Sequence, residues 1–346
     1  MKHLFIFVLL VSLLVIPVCA EEWSPPEAPD SAQELMPVKT ESFGEGLWKV
    51  VTSAVATLQP ELADAAKVCL SLIAVMLLTA ILRSVPGSSG HILEFAATIG
   101  IGTLLLSAGN SMIALASKTV KEMSEYGRLL LPVLTGALAA QGGTTSATAL
   151  YAGTAVFDAV LTSLTDRLLV PMVYMFLALG AAAAATGEGG VGKLKALLKW
   201  LVSWAMKGIL YLFTGYMGIT GAVTGTADAA AVKAAKLTIS SFVPVVGGIL
   251  SDASETVIVG AGVVKNAIGI YGLLAVIATC ITPFLQIGLQ YLMLKVTGAI
   301  CTSFELKRAA GLIDDFSSAM GMLLGMTGTV CVLLLISTVC FMKAVT

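Results

Sequence analysis

Ionisable side chains inside long apolar runs are the residues of this chain best placed to do chemistry. Asp158, Lys207, Asp252, Glu255 and Lys265 all stand among Ala, Val, Leu, Ile and Gly. A charge at membrane depth is costly, so such a group normally faces a polar cavity, pairs with another, or marks an ion or proton path. Asp252 and Glu255 follow a stretch rich in Pro and Gly. They either line a polar cavity or mark the wet edge of that stretch. Lys207 has a simpler option, because its stem can carry the ammonium back to the interface.

Enzyme constellations are missing from the sequence. The histidines are His3 and His91, too few for a histidine metal site or triad. Cys69, Cys280, Cys301, Cys331 and Cys340 have neither metal-ligand nor CxxC spacing. Most lie in apolar segments, where Cys behaves as a small hydrophobe, and no disulfide is expected. Gly187-Glu188-Gly189-Gly190-Val191-Gly192 superficially resembles a phosphate loop. It lacks the Lys-Ser/Thr ending and a preceding strand, so a turn is expected. No cofactor is implied, and a net charge of -1 gives no sign of nucleic-acid binding.

The solvent follows from composition. Over 346 residues, 57% are hydrophobic and 12% charged, against roughly 25% charged in soluble domains. The mean hydropathy is +0.95. A soluble exterior cannot be built from such residues, so the fold class is all-α, a polytopic helical membrane protein.

Met1–Ala20 has the layout of a cleavable signal peptide: Lys2 and His3, the apolar run Leu4–Ile16, then the small-residue site Val18-Cys19-Ala20. An uncleaved anchor is the alternative. The mature N-terminus is then extracytoplasmic. Residues 21–65 form a tether and an amphipathic helix. Glu21–Thr40 carries Pro25, Pro26, Pro29 and Pro37 among acids, a composition that builds no core of its own and suggests disorder. Ser42 and Glu45 have capping-box spacing. Phe43, Leu47, Val50, Val51, Ala54 and Leu58 recur at helical intervals, which predicts an interfacial helix over Ser42–Leu58.

A spanning helix needs about 20 apolar residues. Residues 66–116 hold two, around Val68–Leu82 and Ile92–Ala116. Residues 117–225 and 226–346 read as two copies of one unit. A shift of 112 positions brings Pro132 onto Pro244, Gly136 onto Gly248, Leu138 onto Leu250 and Pro171 onto Pro283. Each unit opens on a surface amphipathic helix, Lys118–Arg128 or Ala227–Ser240. A stretch broken by Pro and Gly follows: Leu129–Leu150, interrupted by Pro132, Gly136, Gly142 and Gly143, or Phe242–Gly262 with Pro244, Gly247 and Gly248. Spans are then expected at Val170–Thr186 and Leu201–Thr224, and at Ile268–Val296 and Ala319–Met342, with Pro283 kinking the third.

If both broken stretches dip in and return, six helices cross. The loops carrying Arg83, Lys193–Lys199 and Lys307-Arg308 then share the cytoplasmic side. If both span, there are eight crossings and the basic loops divide between the two sides. Freed backbone groups must find partners in lipid. The broken segments, with Asp252 and Glu255, are therefore expected to face one another and shape the functional centre; ordinary kinked spans are the alternative. Gly215, Gly218, Gly221 and Gly225, and likewise Gly321, Gly325 and Gly328, lie on single helices at spacings that let backbones approach closely. Such packing serves either the chain's own helices or a homo-oligomer.

The run from Phe242 to Asp252, continuing through Glu255-Thr256 and Gly260 to Ala267, resembles the stage III sporulation protein AE family of spore-forming bacteria. Phe213 to Ile219 and Lys233-Ala234-Ala235-Lys236 are similar to the same family. The resemblance covers roughly Leu104 to the C-terminus. It implies a multi-spanning protein of the mother-cell membrane around the forespore. The implied partners are other products of the same operon, a secretion-type ATPase and ring-forming proteins, and a forespore membrane protein. Together these form a channel that supports forespore development. It implies no catalytic residues. A free-standing small-molecule or ion transporter and a membrane scaffold for ring assembly stay open as alternatives.

Overall fold

The computed structural model describes residues 24–37, 42–85, 90–186, 191–242, 247–304 and 306–344; over 221–242 and 247–264, and at His91, it describes the backbone alone. The expected signal peptide lies outside these residues. Regular structure among them is helical throughout: α1 (Asp30–Gln33), α2 (Phe43–Ala56), α3 (Gln59–Arg83), α4 (Gly90–Ala140), α5 (Thr144–Leu164), α6 (Val170–Thr186), α7 (Val191–Phe242), α8 (Gly247–Thr302) and α9 (Lys307–Lys343).

Local chemistry sets the helix ends. Ser42 caps α2, its Oγ accepting the Glu45 N–H at 3.3 Å, as the capping-box spacing predicts. Pro60 sits in the first turn of α3, where no donor is missed. The end of α4 is set by Gly142, whose φ is 91°. The Gly143 N–H donates to Leu138 O and the Gly142 N–H to Ala139 O. This pair of bonds closes the last turn in the manner that a left-handed glycine permits. Pro132 does not end the helix and lies inside α4.

Three expectations change here. The 118–128 segment is no separate surface helix, because α4 runs unbroken through it. Its apolar face, Val120, Met123 and Tyr126, is buried, and its charged face pairs. Lys118 bridges Glu122 at 3.4 Å, and Lys121 bridges Asp166 at 3.4 Å. The backbone of 227–240 is likewise continuous with α7. The acidic, proline-rich stretch is not wholly a free tether: Ala28, Ala32 and Leu35 are buried in a core shared with α4 and α9. Ser31 Oγ donates to Glu122 at 2.8 Å. That composition cannot make a core, but three small apolar side chains can join one.

Among the described residues, six helical paths are long and apolar enough to cross a membrane: Gln59–Arg83, Ile92–Ala140, Thr144–Thr186, Val191–Thr220, Lys265–Thr302 and Lys307–Lys343. The third joins α5 to α6 through a π turn at Thr165–Leu169. That turn ends two residues before Pro171, which cannot donate to the turn behind it. Several paths exceed a bilayer. The 51 residues of α4 extend about 76 Å at the α-helical rise, against a hydrocarbon core of about 30 Å.

Two apolar cores lie along the bundle. One joins Leu72 and Met76 of α3 to Ile101 and Leu105 of α4, with Phe176 of α6, Ile287 of α8 and Phe316 of α9. The other joins Met123 and Leu134 of α4 to Leu150 of α5, Phe213 of α7, Val276 of α8 and Leu334 of α9. Helices α4, α7, α8 and α9 contribute to both. The last, α9, packs against each of α4 to α8 and is the axis of the bundle. The predicted inner face of α2 is turned onto this assembly, with Gly46, Val50 and Ala54 buried.

Candidate functional site

On α5, Ala149, Gly153 and Phe157 recur every fourth residue and face α7. Gly153 leaves the space that the Tyr216 ring fills. Tyr216 Oη donates to Ala149 O at 3.0 Å. Phe157 packs edge-on against Phe213, ring centroids 5.3 Å apart, and tilts against Tyr216 at 5.9 Å.

Thr154 and Asp158 form a second row one residue over, pointing inward. Thr154 Oγ1 and Ser337 Oγ of α9 are 2.7 Å apart, and Ser124 Oγ of α4 donates to Asp158 Oδ2 at 2.6 Å. Asp158 is only 3% exposed. This row ties α5 to α4 and α9 with hydrogen bonds that have no water to compete with them. Tyr126 Oη and Gln141 Oε1 are buried without a hydrogen-bond partner among the described residues. Asp158 is thus the expected acid that the structure places in a closed polar seam, within the Thr144–Thr186 path.

The other expected residues separate. Pro132 lies within α4 beside buried Leu131. Gly136 has open space where a side chain would begin. Pro244 lies outside the described residues. Gly247 and Gly248 open α8, and Asp252 and Glu255 follow on it, with side chains outside the description. A meeting of the two broken stretches therefore stays an expectation. Lys265 is buried and donates to Ala344 O at 2.9 Å, which anchors the end of α9.

The packing glycines divide too. Gly215 and Gly218 meet no other part of the described chain, whereas Gly325 faces Met206 and Gly321 faces Tyr291. Gly221 and Gly225 lie in the backbone-only part of α7. Closer approaches fall at glycines that spacing does not single out, Gly153 and Gly180 among them. The second abuts the Asp315 carboxylate.

At the opposite end of the bundle, charged groups cluster. Lys195 Nζ of α7 donates to Asp315 Oδ2 of α9 at 2.6 Å. Lys295 of α8 bridges Asp314 of α9 at 2.5 Å. Arg83 and Glu94 pair across α3 and α4 at 3.8 Å. Beside these pairs a cleft of about 410 Å³ opens between α7, α8 and α9, where Lys199, Lys207 and Lys295 face Ser203, Tyr291 and Ser318. Lys207 is therefore on a cleft wall. Nothing in sequence spacing relates residue 207 to residue 295. Among the described residues no group of three or more His, Cys, Asp or Glu could hold a metal.

Long apolar helices with a polar seam closed between them define a multi-pass helical membrane protein. The family model for stage III sporulation protein AE matches residues 31–344. The chain belongs to that family. It is 25% identical over 197 residues to the stage III sporulation protein AE of Bacillus subtilis (strain 168), a match covering 57% of this chain. The match spans about half, 49%, of that relative's length. No solved structure matches the chain.

Proposed function

We propose that this protein is a non-enzymatic integral membrane component of a secretion-like channel complex linking mother cell and forespore, needed for forespore development. The family match over residues 31–344 carries the reading. Its partners are then a secretion-type ATPase, ring-forming proteins and a protein of the forespore membrane. Tagged chain captured from sporulating cells in mild detergent should retain the ATPase and the ring proteins. Recovery as a lone monomer overturns the assembly. Such recovery together with solute flux through purified protein in vesicles would leave a free-standing transporter, which the buried Asp158 seam favours as second reading. Retained partners without any permeability would leave a scaffold.

Six crossings also give an orientation. With an extracytoplasmic start after a cleaved signal peptide, the ends bearing Arg83, Lys195 and Lys307 gather in the cytoplasm. The connection at 141–143 and the C-terminal end of α7 then lie outside. This agrees with the positive-inside rule. The internal duplication of residues 117–225 and 226–346 is part of the same proposal: within each stretch broken by Pro and Gly one helix ends and another starts, Ala140 and Thr144 in the first unit, Phe242 and Gly247 in the second. An impermeant thiol reagent applied to intact cells should label Thr145→Cys and spare Lys193→Cys. The reverse pattern would sink this topology.

A further inference from the structure

The cleft between α7, α8 and α9 is a built basic site with no assigned ligand. Lys199, Lys207 and Lys295 line it. Lys295 is held by Asp314, and Asp315 is engaged by Lys195. Lys199 donates to Ser318 Oγ at 3.3 Å. Lys207 makes no ion pair among the described residues. Four lysines thus face two carboxylates, which leaves an excess of positive charge on the cleft wall. The remaining polar lining, Ser203, Tyr291 and Ser318, offers hydroxyl donors. The floor is apolar: Met206, which packs against Gly325, and Met322, with Gly321 leaving room beside Tyr291.

Aromatic residues fix the level of this cleft. Trp200 and Trp204 stack with ring centroids 6.1 Å apart. They are 58% and 61% exposed, on the turns of α7 that carry Lys199 and Ser203. Exposed tryptophans on a spanning helix settle at the headgroup layer. Exposed Leu197 of α7 and Leu292 and Val296 of α8 flank the same level, and lipid tails are what cover such faces in a membrane.

We propose that this cleft binds an anionic phospholipid. Its phosphate would lie among Lys199, Lys207 and Lys295, and the start of its acyl chains over Met206, Gly321 and Gly325. Basic pockets between spanning helices recognise such headgroups by charge and hydrogen bonding. A headgroup with two phosphodiesters matches the excess charge better than one. A bound lipid there would brace α7 against α8 and α9 at the end of the bundle where the ion pairs gather.

The test uses the full chain purified in neutral detergent and titrated with cardiolipin, phosphatidylglycerol, phosphatidylcholine or inorganic phosphate, with bound lipid counted by native mass spectrometry. Cardiolipin should bind most tightly and phosphatidylcholine least. At about 1 kcal/mol per lysine, Lys199→Gln, Lys207→Gln and Lys295→Gln combined should weaken cardiolipin about a hundredfold, and Lys207→Gln alone about fivefold. Gly321→Leu keeps every lysine but fills the floor, and should also weaken it. Lys49→Gln, exposed on α2, should change nothing. Gly321→Leu and Lys207→Gln keep the test decisive if the triple variant misfolds. Equal binding of cardiolipin and phosphatidylcholine overturns the proposal, as does an unchanged triple variant. Displacement of the lipid by millimolar inorganic phosphate would make this a soluble-phosphate site instead. Lysine-dependent capture of an acidic protein segment, with no lipid bound, would make it a protein-docking site.

Discussion

Gly153→Ala is expected to destabilise the folded chain by about 2–4 kcal/mol, from overpacking together with one lost hydrogen bond. The direction is informative, because Gly to Ala inside a helix ordinarily gains about 1 kcal/mol. The added methyl would collide with the Tyr216 ring. To make room Tyr216 must turn away, giving up its bond to Ala149 O and its contact with Phe157. Thermal melting of purified protein in one detergent reads the effect. Tyr216→Ala vacates the space, so the double variant Gly153→Ala with Tyr216→Ala should lose less than the two single losses combined. Gly136→Ala serves as the contrast, since nothing stands within 4 Å of its missing side chain; it should melt at or above the parent. A Gly153→Ala protein as stable as the parent would show that α5 and α7 are not locked through this glycine.

The six spanning paths were legible as apolar runs of sufficient length, and the start of α2 from Ser42 and Glu45. Continuity was not. Residues 118–128 have the alternating character of a surface helix, yet the charged side finds Asp166 on the path beyond α5 and the apolar side finds the bundle. A partner so far along the chain leaves no local mark. Of the breakers that the sequence offers in Leu129–Leu150, Pro132 leaves the helix unbroken and Gly142 ends it. Proline forfeits one bond and a helix held by neighbours survives that, whereas a left-handed residue reverses the chain outright.

The polar seam was half legible. Asp158 stood out because it is ionisable. Ser124, Thr154 and Ser337 did not, because Ser and Thr in apolar helices usually satisfy themselves on the carbonyl four residues back, as Thr119 does on Leu115 and Thr338 on Leu334. Only packing distinguishes the hydroxyl that reaches another helix. Glycine spacing singles out Gly325, which meets Met206, but also Gly215 and Gly218, which face outward, and it passes over Gly153 and Gly180, which make tighter contacts. Closure of the seam bears on function as well. With Thr154, Asp158 and Ser337 all buried, these groups hold α5 to α4 and α9, and an ion path past Asp158 would need those helices to part.

Lys195→Met is expected to be the most damaging single change at the other end of the bundle. Lys195 and Asp315 pair at 2.6 Å, with side chains 18% and 14% exposed. Gly180 lets the Asp315 carboxylate lie directly against α6, so three helices meet at this one pair. Removing the lysine leaves a carboxylate with little access to water. Breaking a buried pair from one side costs about 3–5 kcal/mol, and the residual exposure and the nearby Lys199 put this case at about 3. Asp315→Asn should cost less, because it removes the charge while keeping a group that fits beside Gly180. The decisive variant is the double, Lys195→Met with Asp315→Asn. Two charges removed together leave nothing uncompensated, so the double should melt well above Lys195→Met alone. If it melts lower than that single variant, the pair stabilises through packing at the α6, α7 and α9 junction and not through charge.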